Sequence, residues 1–478
     1  MRKLISVVMG KVGISVCSLL LLRVYSQSLT LTEIGLITLL QNIDTFFGFV
    51  YASSYGNYLA LTARSDQRNG ILLQKMYEYA LLTLVFTLFC IPIILCYINF
   101  MSVGLSIGLQ LLFACFLFFF HVPAIIPSQM TVLNFVEASI FLQVAKAIFG
   151  LLSFVLIFHF IGGVAGWIIG AFVGAVIPAL MNLFICRKYL GPFRIKYASL
   201  SHVISKKLIK EFLLPFAVLQ AIIWLFFNAY RIAAPNFFDL RFVGMLGLAF
   251  GFANQFCFAF ESVLTQLFQS DFYRLIDEPN QELKLKRFGA FLKVSYPIYI
   301  SFFFLGFIPY ALIFQFIVKT DVQISFTILV FAWVFNCIRI NLNLLGMITH
   351  VLANPRFLFR YIFLGTGLLT FCFVIWFVTK FSDDKTTFLT LINVIACIVL
   401  FIVSVKIALR TMWKELIYIS VFISVVFIVA GFFISSFEKL ITGSSFFTYA
   451  MIISTLSSVM LGWQVLALPK KLNVIKVV

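Results

Sequence analysis

The chain has 478 residues, of which 63% are hydrophobic and 11% are charged, whereas about 25% of residues in a typical soluble domain are charged. The mean hydropathy is +1.10, and no polar stretch is long enough to form an extramembrane domain. This composition excludes a soluble enzyme with a single membrane anchor and predicts an all-α polytopic membrane protein. A transmembrane β-barrel is excluded because its strands would alternate in hydropathy over about 10 residues.

Taken in chain order, the apolar segments predict fourteen membrane-spanning helices of about 20 residues or more each. They are 5–26, 34–60, 77–99, 103–126, 140–161, 163–186, 212–234, 243–268, 291–317, 323–350, 357–379, 387–406, 416–437 and 445–468. The least regular region is 127–143, which contains Pro127, Asn134, Glu137 and Gln143. An amphipathic interfacial segment before the fifth span is an alternative for this region.

Basic residues are distributed unevenly between alternate loops. If the N-terminus is cytoplasmic, most Lys and Arg residues outside the spans fall in cytoplasmic tails and loops, above all in 187–211. This positive-inside pattern predicts that both termini are cytoplasmic. It also accounts for most of the net charge of +18 without a nucleic-acid partner. The loop 187–211 would lie on an anionic inner leaflet.

The same loop divides the predicted spans into two pseudo-symmetric halves of six helices, which are followed by two further helices. The predicted domains are an N-terminal lobe 1–186, a cytoplasmic basic connector 187–211, a C-terminal lobe 212–410, and two additional helices with a cytoplasmic tail 411–478.

Motifs of ATP hydrolysis, metal binding and covalent catalysis are missing from the sequence. No G-x-x-x-x-G-K-[ST] segment occurs, and the nine cysteines include no C-x-x-C pair. The four histidines are scattered, and no Ser/His/Asp set or paired carboxylates are evident. We therefore expect a protein that is not an enzyme and that binds no metal or other cofactor.

Polar residues inside four spans fall on shared helical faces at about 100° per residue. Charge inside the membrane commonly costs about 2.5–3.5 kcal/mol, so these residues mark buried or water-lined positions. The set consists of Asp44, Tyr51 and Tyr55 in the second span; Gln220, Trp224, Asn228 and Arg231 in the seventh; Asn254 and Glu261 in the eighth; and Arg339 and Asn343 in the tenth. With Arg23 near the end of the first span, they predict a substrate-binding central cavity.

The chemistry of this set suits a sugar phosphate, because aromatic rings match sugar faces and the guanidinium fork of Arg matches phosphate. Asp44 and Glu261 are the candidate ion-coupling residues. Structural hydrogen bonds between helices are the alternative interpretation of the polar faces. Lys11 and Lys146 lie near inner span ends, and we expect their side chains to snorkel toward water.

The opening of the chain resembles that of polysaccharide flippases in the multidrug/oligosaccharidyl-lipid/polysaccharide (MOP) exporter superfamily. In both, an Arg ends the first span, here in Leu19–Arg23, and a polar turn precedes an acidic residue and a glycine, here in Glu33–Gly35. The sequence departs from the family pattern in two places. The turn 25–30 lacks Gly-Pro, and Ile34 replaces an aromatic residue.

The start of the second half, with Leu214-Pro215 followed by Asn228–Arg231, is similar to the corresponding family segment. The layout of two six-span halves with two extra spans covers nearly the whole chain. Within the superfamily, the length and basic composition most resemble the O-antigen (Wzx-type) flippases.

This resemblance implies a MATE/MOP-like fold and a location in the bacterial inner membrane. The implied activity is translocation of an undecaprenyl-diphosphate-linked oligosaccharide repeat unit, the O-antigen, to the periplasmic leaflet by alternating access through a cationic cavity. The drive would be the membrane potential, antiport of H+ or Na+, or both. Membrane lipid, a polysaccharide polymerase and a chain-length regulator are the implied partners in lipopolysaccharide biosynthesis.

Two alternatives remain open. The first is a cation-coupled multidrug exporter of the same superfamily, whose cavity should be dominated by acidic residues. The second is a flippase for another lipid-linked glycan, such as capsule, exopolysaccharide or teichoic acid.

Overall fold

The computed structural model describes residues 2–100, 105–190, 213–276, 280–318, 326–352 and 385–411, together with the single residues 210, 324, 363, 367 and 416. The first helices are α1 (Arg2–Ser28), α2 (Leu31–Phe46), a π-helix (Phe47–Ser53), α3 (Ser54–Arg68), α4 (Leu72–Phe100), α5 (Ile107–His121), α6 (Ile125–Val132), α7 (Val136–Ile161) and α8 (Gly163–Leu190). The later helices are α9 (Leu214–Phe237), α10 (Leu240–Ile276), α11 (Gln281–Ile317), α12 (Phe326–Gly346), α13 (Ile348–Val351) and α14 (Lys385–Thr411).

The chain is an all-helical, multi-pass membrane protein, as the composition predicts. Within the described residues, ten helices are long and apolar enough to cross a membrane, and α9 carries a shorter apolar stretch, Leu214–Asn228. The predicted spans 357–379, 416–437 and 445–468 lie almost entirely outside the described residues, as does most of the connector 187–211. The predicted number of fourteen therefore stays a prediction.

Two compact units divide the chain. The first unit, which we call unit 1, comprises residues 1–232 and 259–273, and the second, unit 2, comprises 233–258 and 274–478. The predicted lobe boundary at 187–211 stays a prediction.

The helix that contains the second predicted span, 34–60, extends beyond the apolar segment on both sides. It runs without a break through α2, the π-helix and α3, which are together Leu31–Arg68. A capping box fixes its start, because Thr30 Oγ1 accepts from the Glu33 backbone amide and the Glu33 carboxylate accepts from the Thr30 amide. The turn that follows α3 contains Gly70 at φ +68°, a conformation that favours glycine.

The region 127–143 begins with a helix that lacks the exposed polar face of an amphipathic interfacial segment. Its first part belongs to α6, whose residues are buried except for Ser128, and its second part is the start of α7. Within α6, Thr131 Oγ1 donates to the Pro127 carbonyl, and the Ser139 hydroxyl of α7 donates to the same carbonyl at 2.7 Å. An amphipathic interfacial helix would instead keep one polar face in water.

Close packing of α7 against α8 organises much of unit 1. Gly162 ends α7 at φ +65°, so α8 returns antiparallel to it after a very short turn. An added Cβ at Gly174 would lie 2.6 Å from Ser153 Oγ and 3.0 Å from Gly150 Cα. Small residues therefore let these two helices approach each other, as is common inside membranes.

The core of unit 2 is built around two buried aromatic residues with polar atoms. Trp333 Nε1 donates to the Phe303 carbonyl at 3.0 Å, and the Tyr310 hydroxyl lies 3.3 Å from the Ala249 carbonyl and 3.2 Å from that of Leu329. The rings of Tyr310 and Trp333 stack with centroids 5.1 Å apart. These contacts tie α10, α11 and α12 together.

Candidate functional site

The best-defined polar contact in the membrane-spanning part of unit 1 joins Asp44 to His121. His121 Nε2 lies 2.9 Å from Asp44 Oδ1, and the side chains are 8% and 20% exposed. Gly48 makes room for the imidazole, because an added Cβ there would lie 2.9 Å from His121 Cε1. The Phe47 ring packs on the same imidazole with centroids 5.5 Å apart. The pair is thus held between α2 and α5 with limited access to water.

A π-helical segment directly follows Asp44 and its neighbours. Such wide turns are rare and often occur at functional sites. They also break the regular 100° spacing from which one face was predicted for Asp44, Tyr51 and Tyr55. In the structure Tyr51 stacks on Phe86 at 4.6 Å, and Tyr55 is buried with its ring 5.1 Å from that of Tyr79. These two tyrosines therefore line an aromatic cluster against α4.

Trp224 on α9 reaches the same end of α2. Its Nε1 donates to Thr45 Oγ1 at 3.1 Å, and its ring meets that of Phe46 edge-on at 4.9 Å. One turn further along, the buried Asn228 donates from Nδ2 to the Trp224 carbonyl at 3.0 Å. Gln220, one turn earlier, is partly buried. Trp224 therefore contacts Thr45 and Phe46, the two residues that follow Asp44 in α2.

Two lysines add positive charge to this part of unit 1. Lys146 Nζ lies 3.4 Å from the centroid of the Phe120 ring, and Lys146 interacts electrostatically with Asp44. Lys11 is buried and donates to the Gln143 side chain. The expectation that Lys11 snorkels to water is therefore wrong, because a partner on α7 satisfies its ammonium inside the unit.

The remaining predicted residues of unit 1 differ in their surroundings. Arg23 is exposed near the end of α1, whereas Arg231 and Glu261 are partly buried, and all three have interaction partners. The Glu261 backbone carbonyl accepts from Thr265 Oγ1 at 2.6 Å.

In unit 2, the predicted residues lie on α10 and α12. Asn254 and Arg339 are partly buried, and Asn343 is exposed. Asn254 Oδ1 and Arg339 Nε are buried atoms without a hydrogen-bond partner among the described residues. A buried donor of this kind is costly unless something binds it, so Arg339 is the strongest ligand-binding candidate in unit 2.

His121, Lys146 and Lys11 do not belong to the set of site residues that the sequence predicts. A signal was present for the lysines, because both are cations inside apolar segments. His121 gave a weaker signal, since it lies near the end of its predicted span. Its partner Asp44 is 77 residues earlier, which spacing along one helix cannot reveal.

The charged side chains described above include both acids and bases, but those of the described residues form no metal-binding group. Among the residues described, no group of three or more His, Cys, Asp or Glu side chains could hold a metal ion. In unit 1 the Asp44 carboxylate is already paired and Lys146 presents positive charge. In unit 2, taken by itself, Arg339 presents positive charge. Recognition of an anion is the chemistry that the positive groups support.

Searches against family models and curated proteins gave no match. Among solved structures, the chain is similar to the MATE multidrug transporter DinF-BH, whose structure was determined as a complex. The two share 15% sequence identity and superpose with a TM-score of 0.55, over 87% of this chain and 96% of that one. At this identity the likeness concerns the fold: the chain has the MATE-like, all-helical fold that its sequence predicts.

Proposed function

We propose that this protein is a flippase for an anionic lipid-linked glycan, with an undecaprenyl-diphosphate-linked O-antigen repeat unit as its substrate. The observation that carries the proposal is the charge balance of the polar site in unit 1. Lys11 and Lys146 lie inside apolar helices, whereas the nearby acid Asp44 is paired with His121. Such a site favours an anion over a cation.

The physical problem that a flippase solves is the desolvation of the diphosphate. Moving an isolated ion into a medium of low dielectric constant costs tens of kcal/mol by Born estimates. A positive side chain such as Lys146 in unit 1 lowers this cost by compensating the charge. The polyprenyl tail needs no such help, because it can remain in the bilayer.

The membrane potential can supply the drive, because the cell interior is negative and the substrate is anionic. At roughly 2.3 kcal/mol per charge per 100 mV, two charges moving outward gain about 4–5 kcal/mol. Antiport of H+ or Na+ is the competing drive, with Asp44 or Glu261 as the coupling residue. We place the protein in the bacterial inner membrane, with both termini cytoplasmic and with a polysaccharide polymerase and a chain-length regulator as partners.

A cation-coupled multidrug exporter is the second candidate function. The fold shared with DinF-BH favours it, and so does one acid near the start of α4. Glu78 is buried, and its Oε2 has no hydrogen-bond partner among the described residues. A cationic compound could compensate that carboxylate.

Deletion of the gene in its host tests the proposal. Loss of the long-chain surface-polysaccharide ladder, with the complete diphosphate-linked repeat unit accumulating on the cytoplasmic side, is the expected result. An unchanged ladder with altered sensitivity to cationic dyes would refute the flippase and support the exporter. A changed polymer other than O-antigen would identify another lipid-linked glycan.

Complementation of the deletion strain then tests the site. Lys146→Gln should fail to restore the ladder at normal protein levels, because the cation near Asp44 is lost. Lys293→Gln is the matched control, since Lys293 is exposed on α11 and has a similar side chain. Equal complementation by both variants would remove Lys146 from the mechanism.

A further inference from the structure

Two buried cysteines meet in the core of unit 2, and the proposed transport function uses neither of them. Cys257 on α10 and Cys337 on α12 are both 0% exposed, and their Sγ atoms lie 3.9 Å apart. Free cysteines are often buried as small apolar side chains, so burial alone does not mark a site. Cys397 on α14 is such a case, because it is buried without a sulfur neighbour among the described residues. The contact between two sulfurs on different helices distinguishes the pair formed by Cys257 and Cys337.

The separation of the two sulfurs suits a shared metal ion. A metal ion such as zinc lies about 2.3 Å from a cysteine sulfur, so two sulfurs on one ion lie at most about 4.6 Å apart, and about 3.8 Å apart at a tetrahedral angle. The observed 3.9 Å falls within this range. A single ion can therefore bridge α10 and α12 without a change in the packing of the two helices. A disulfide, with its sulfurs about 2 Å apart, would require them to approach each other.

The number and type of the ligands favour one kind of ion. Thiolate sulfur prefers soft ions, chiefly Cu(I) and Zn²⁺. Zinc sites take at least three protein ligands, which is more than the pair offers, whereas Cu(I) is stable with two thiolate sulfurs alone. Both cysteines are fully buried, as is Tyr310 on α11, which interacts electrostatically with both of them. Water therefore cannot readily complete the coordination of a zinc ion at this place.

Positive charge is available beside the pair. A Cu(I) ion bound by two thiolates leaves a net negative charge, which is costly inside a protein unless a cation compensates it. Arg339 follows Cys337 closely on α12 and interacts electrostatically with it. Its Nε is a buried donor without a hydrogen-bond partner among the described residues. The guanidinium can therefore compensate the charge of a copper centre.

We propose that Cys257 and Cys337 bind one Cu(I) ion as a pair of thiolates and so join α10 to α12. Binding breaks two S–H bonds and forms two S–Cu bonds, the two protons leave to solvent, and copper remains Cu(I) throughout. Spacing along the sequence does not reveal this pair, because its members are 80 residues apart.

This inference does not rest on the proposed transport function, since neither cysteine is assigned to the substrate or to ion coupling. The test measures copper bound by the purified full-length protein. Protein in detergent is kept anaerobic with ascorbate, titrated with Cu(I) in the presence of the Cu(I) chelator bicinchoninate, desalted and analysed for copper by mass spectrometry. Because both sulfurs are buried, a second sample is isolated from cells grown with added copper. We expect one chelator-resistant copper ion per chain in at least one of the two preparations.

Three cysteine variants assign the copper to the pair. Cys257→Ala and Cys337→Ala should each weaken copper binding roughly 100-fold or more, because the loss of even an outer-shell partner typically costs about 10–100-fold in metal affinity. Alanine is preferred to serine, because serine would bury a new hydroxyl group. Cys397→Ala is the matched control, since Cys397 is buried on α14 outside the pair, and it should retain copper like the wild type. Equal retention by all three variants would show that copper binds elsewhere.

The melting temperature in detergent distinguishes copper binding from an effect on folding. A ligand that binds the native state but not the unfolded chain stabilises the protein. Cu(I) should therefore raise the melting temperature of the wild type and of Cys397→Ala, but not that of Cys257→Ala or Cys337→Ala. Because the measured quantity is the change on adding copper, a general loss of stability in a variant does not obscure the result.

Several other outcomes would overturn the proposal. Failure of both preparations to retain copper would show that the pair is only part of the packed core. Equal retention of Zn²⁺ would show a thiol site without preference for copper. X-ray absorption at the copper edge should show sulfur neighbours, and nitrogen or oxygen neighbours alone would place the ion elsewhere. Peptide mapping without reductant that finds Cys257 joined to Cys337 would show a disulfide in place of a metal site.

Discussion

The imidazole of His121 on α5 lies 2.9 Å from the carboxylate of Asp44 on α2, and Gly48 and Phe47 enclose the pair on the side of the π-helix. This contact links two helices that lie 77 residues apart at their point of contact. Lys146 interacts electrostatically with the same Asp44 carboxylate. Under the proposed transport function, Asp44 is the candidate residue for coupling substrate movement to an ion.

The first prediction concerns this coupling. Asp44→Asn keeps the size of the side chain but removes the exchangeable proton and the charge. We expect transport to persist but to lose its dependence on pH, as measured by flipping of the lipid-linked substrate in proteoliposomes at a fixed membrane potential. Glu261→Gln is the parallel variant. If only Glu261→Gln loses the pH dependence, the coupling residue is Glu261 and Asp44 has a structural role.

The second prediction separates the ring of Trp224 from its hydrogen bond. Trp224→Phe keeps an aromatic ring against Phe46 but loses the donor to Thr45, which typically costs about 0.5–1.5 kcal/mol. If the ring binds sugar, Trp224→Phe should retain most of the transport rate. Trp224→Ala should lower the transport rate roughly tenfold or more, and a tenfold loss is equivalent to about 1.4 kcal/mol. Equal losses in both variants, measured at equal protein levels, would assign Trp224 to the structure only.

Much of the fold follows from the sequence, because apolar length alone decides where a helix can cross a membrane. The start of α8 at Gly163 and the end of α7 at Ile161 agree with the predicted spans. The helix that contains the second predicted span extends beyond it, because polar residues such as Arg64 and Asp66 are accommodated in α3. Asp66 is buried there because Lys75 on α4 pairs with it.

The candidate site could be predicted less completely, for geometric reasons. A constant 100° per residue places Tyr51 and Tyr55 on the face of Asp44, but a π-helix begins at Phe47 and changes the turn. Lys11 was expected to reach water, yet Gln143 on a distant helix binds it within the unit. Partners that lie far apart in sequence become visible only in three dimensions.

A third prediction concerns Arg339 in unit 2. Its Nε is a buried donor without a partner among the described residues, so a bound phosphate would satisfy it. Arg339→Ala should abolish export while insertion and protein level stay normal, and Arg339→Lys should restore little, because lysine lacks the planar fork. Arg241→Ala is the control, since Arg241 is exposed near the start of α10. Normal export by Arg339→Ala would remove the residue from substrate binding.

The ion pair between Asp66 and Lys75 gives a fourth prediction, on stability. Lys75 Nζ lies 2.8 Å from both Asp66 carboxylate oxygens, with side chains 13% and 5% exposed, and 3.3 Å from the Tyr58 hydroxyl. Lys75→Met leaves the Asp66 charge uncompensated, which typically costs about 3–5 kcal/mol when the pair is buried. In thermal unfolding in detergent, the double variant Lys75→Met with Asp66→Asn should lose less stability than Lys75→Met alone. Additive losses would contradict a direct coupling between the two side chains.

The last prediction uses Gly174 on α8, which packs on the backbone of Gly150 on α7. An added Cβ at Gly174 lies 2.6 Å from Ser153 Oγ, which cannot easily turn away because it donates to the Phe149 carbonyl at 2.6 Å. The same Cβ lies 3.0 Å from Gly150 Cα, so the helices must separate, at a typical cost of about 1–3 kcal/mol. A Cβ at Gly150 meets no atom within 4 Å, so Gly150→Ala should leave the melting temperature in detergent unchanged while Gly174→Ala lowers it. A similar melting temperature for both variants would show that backbone proximity at Gly174 does not limit the packing of these helices.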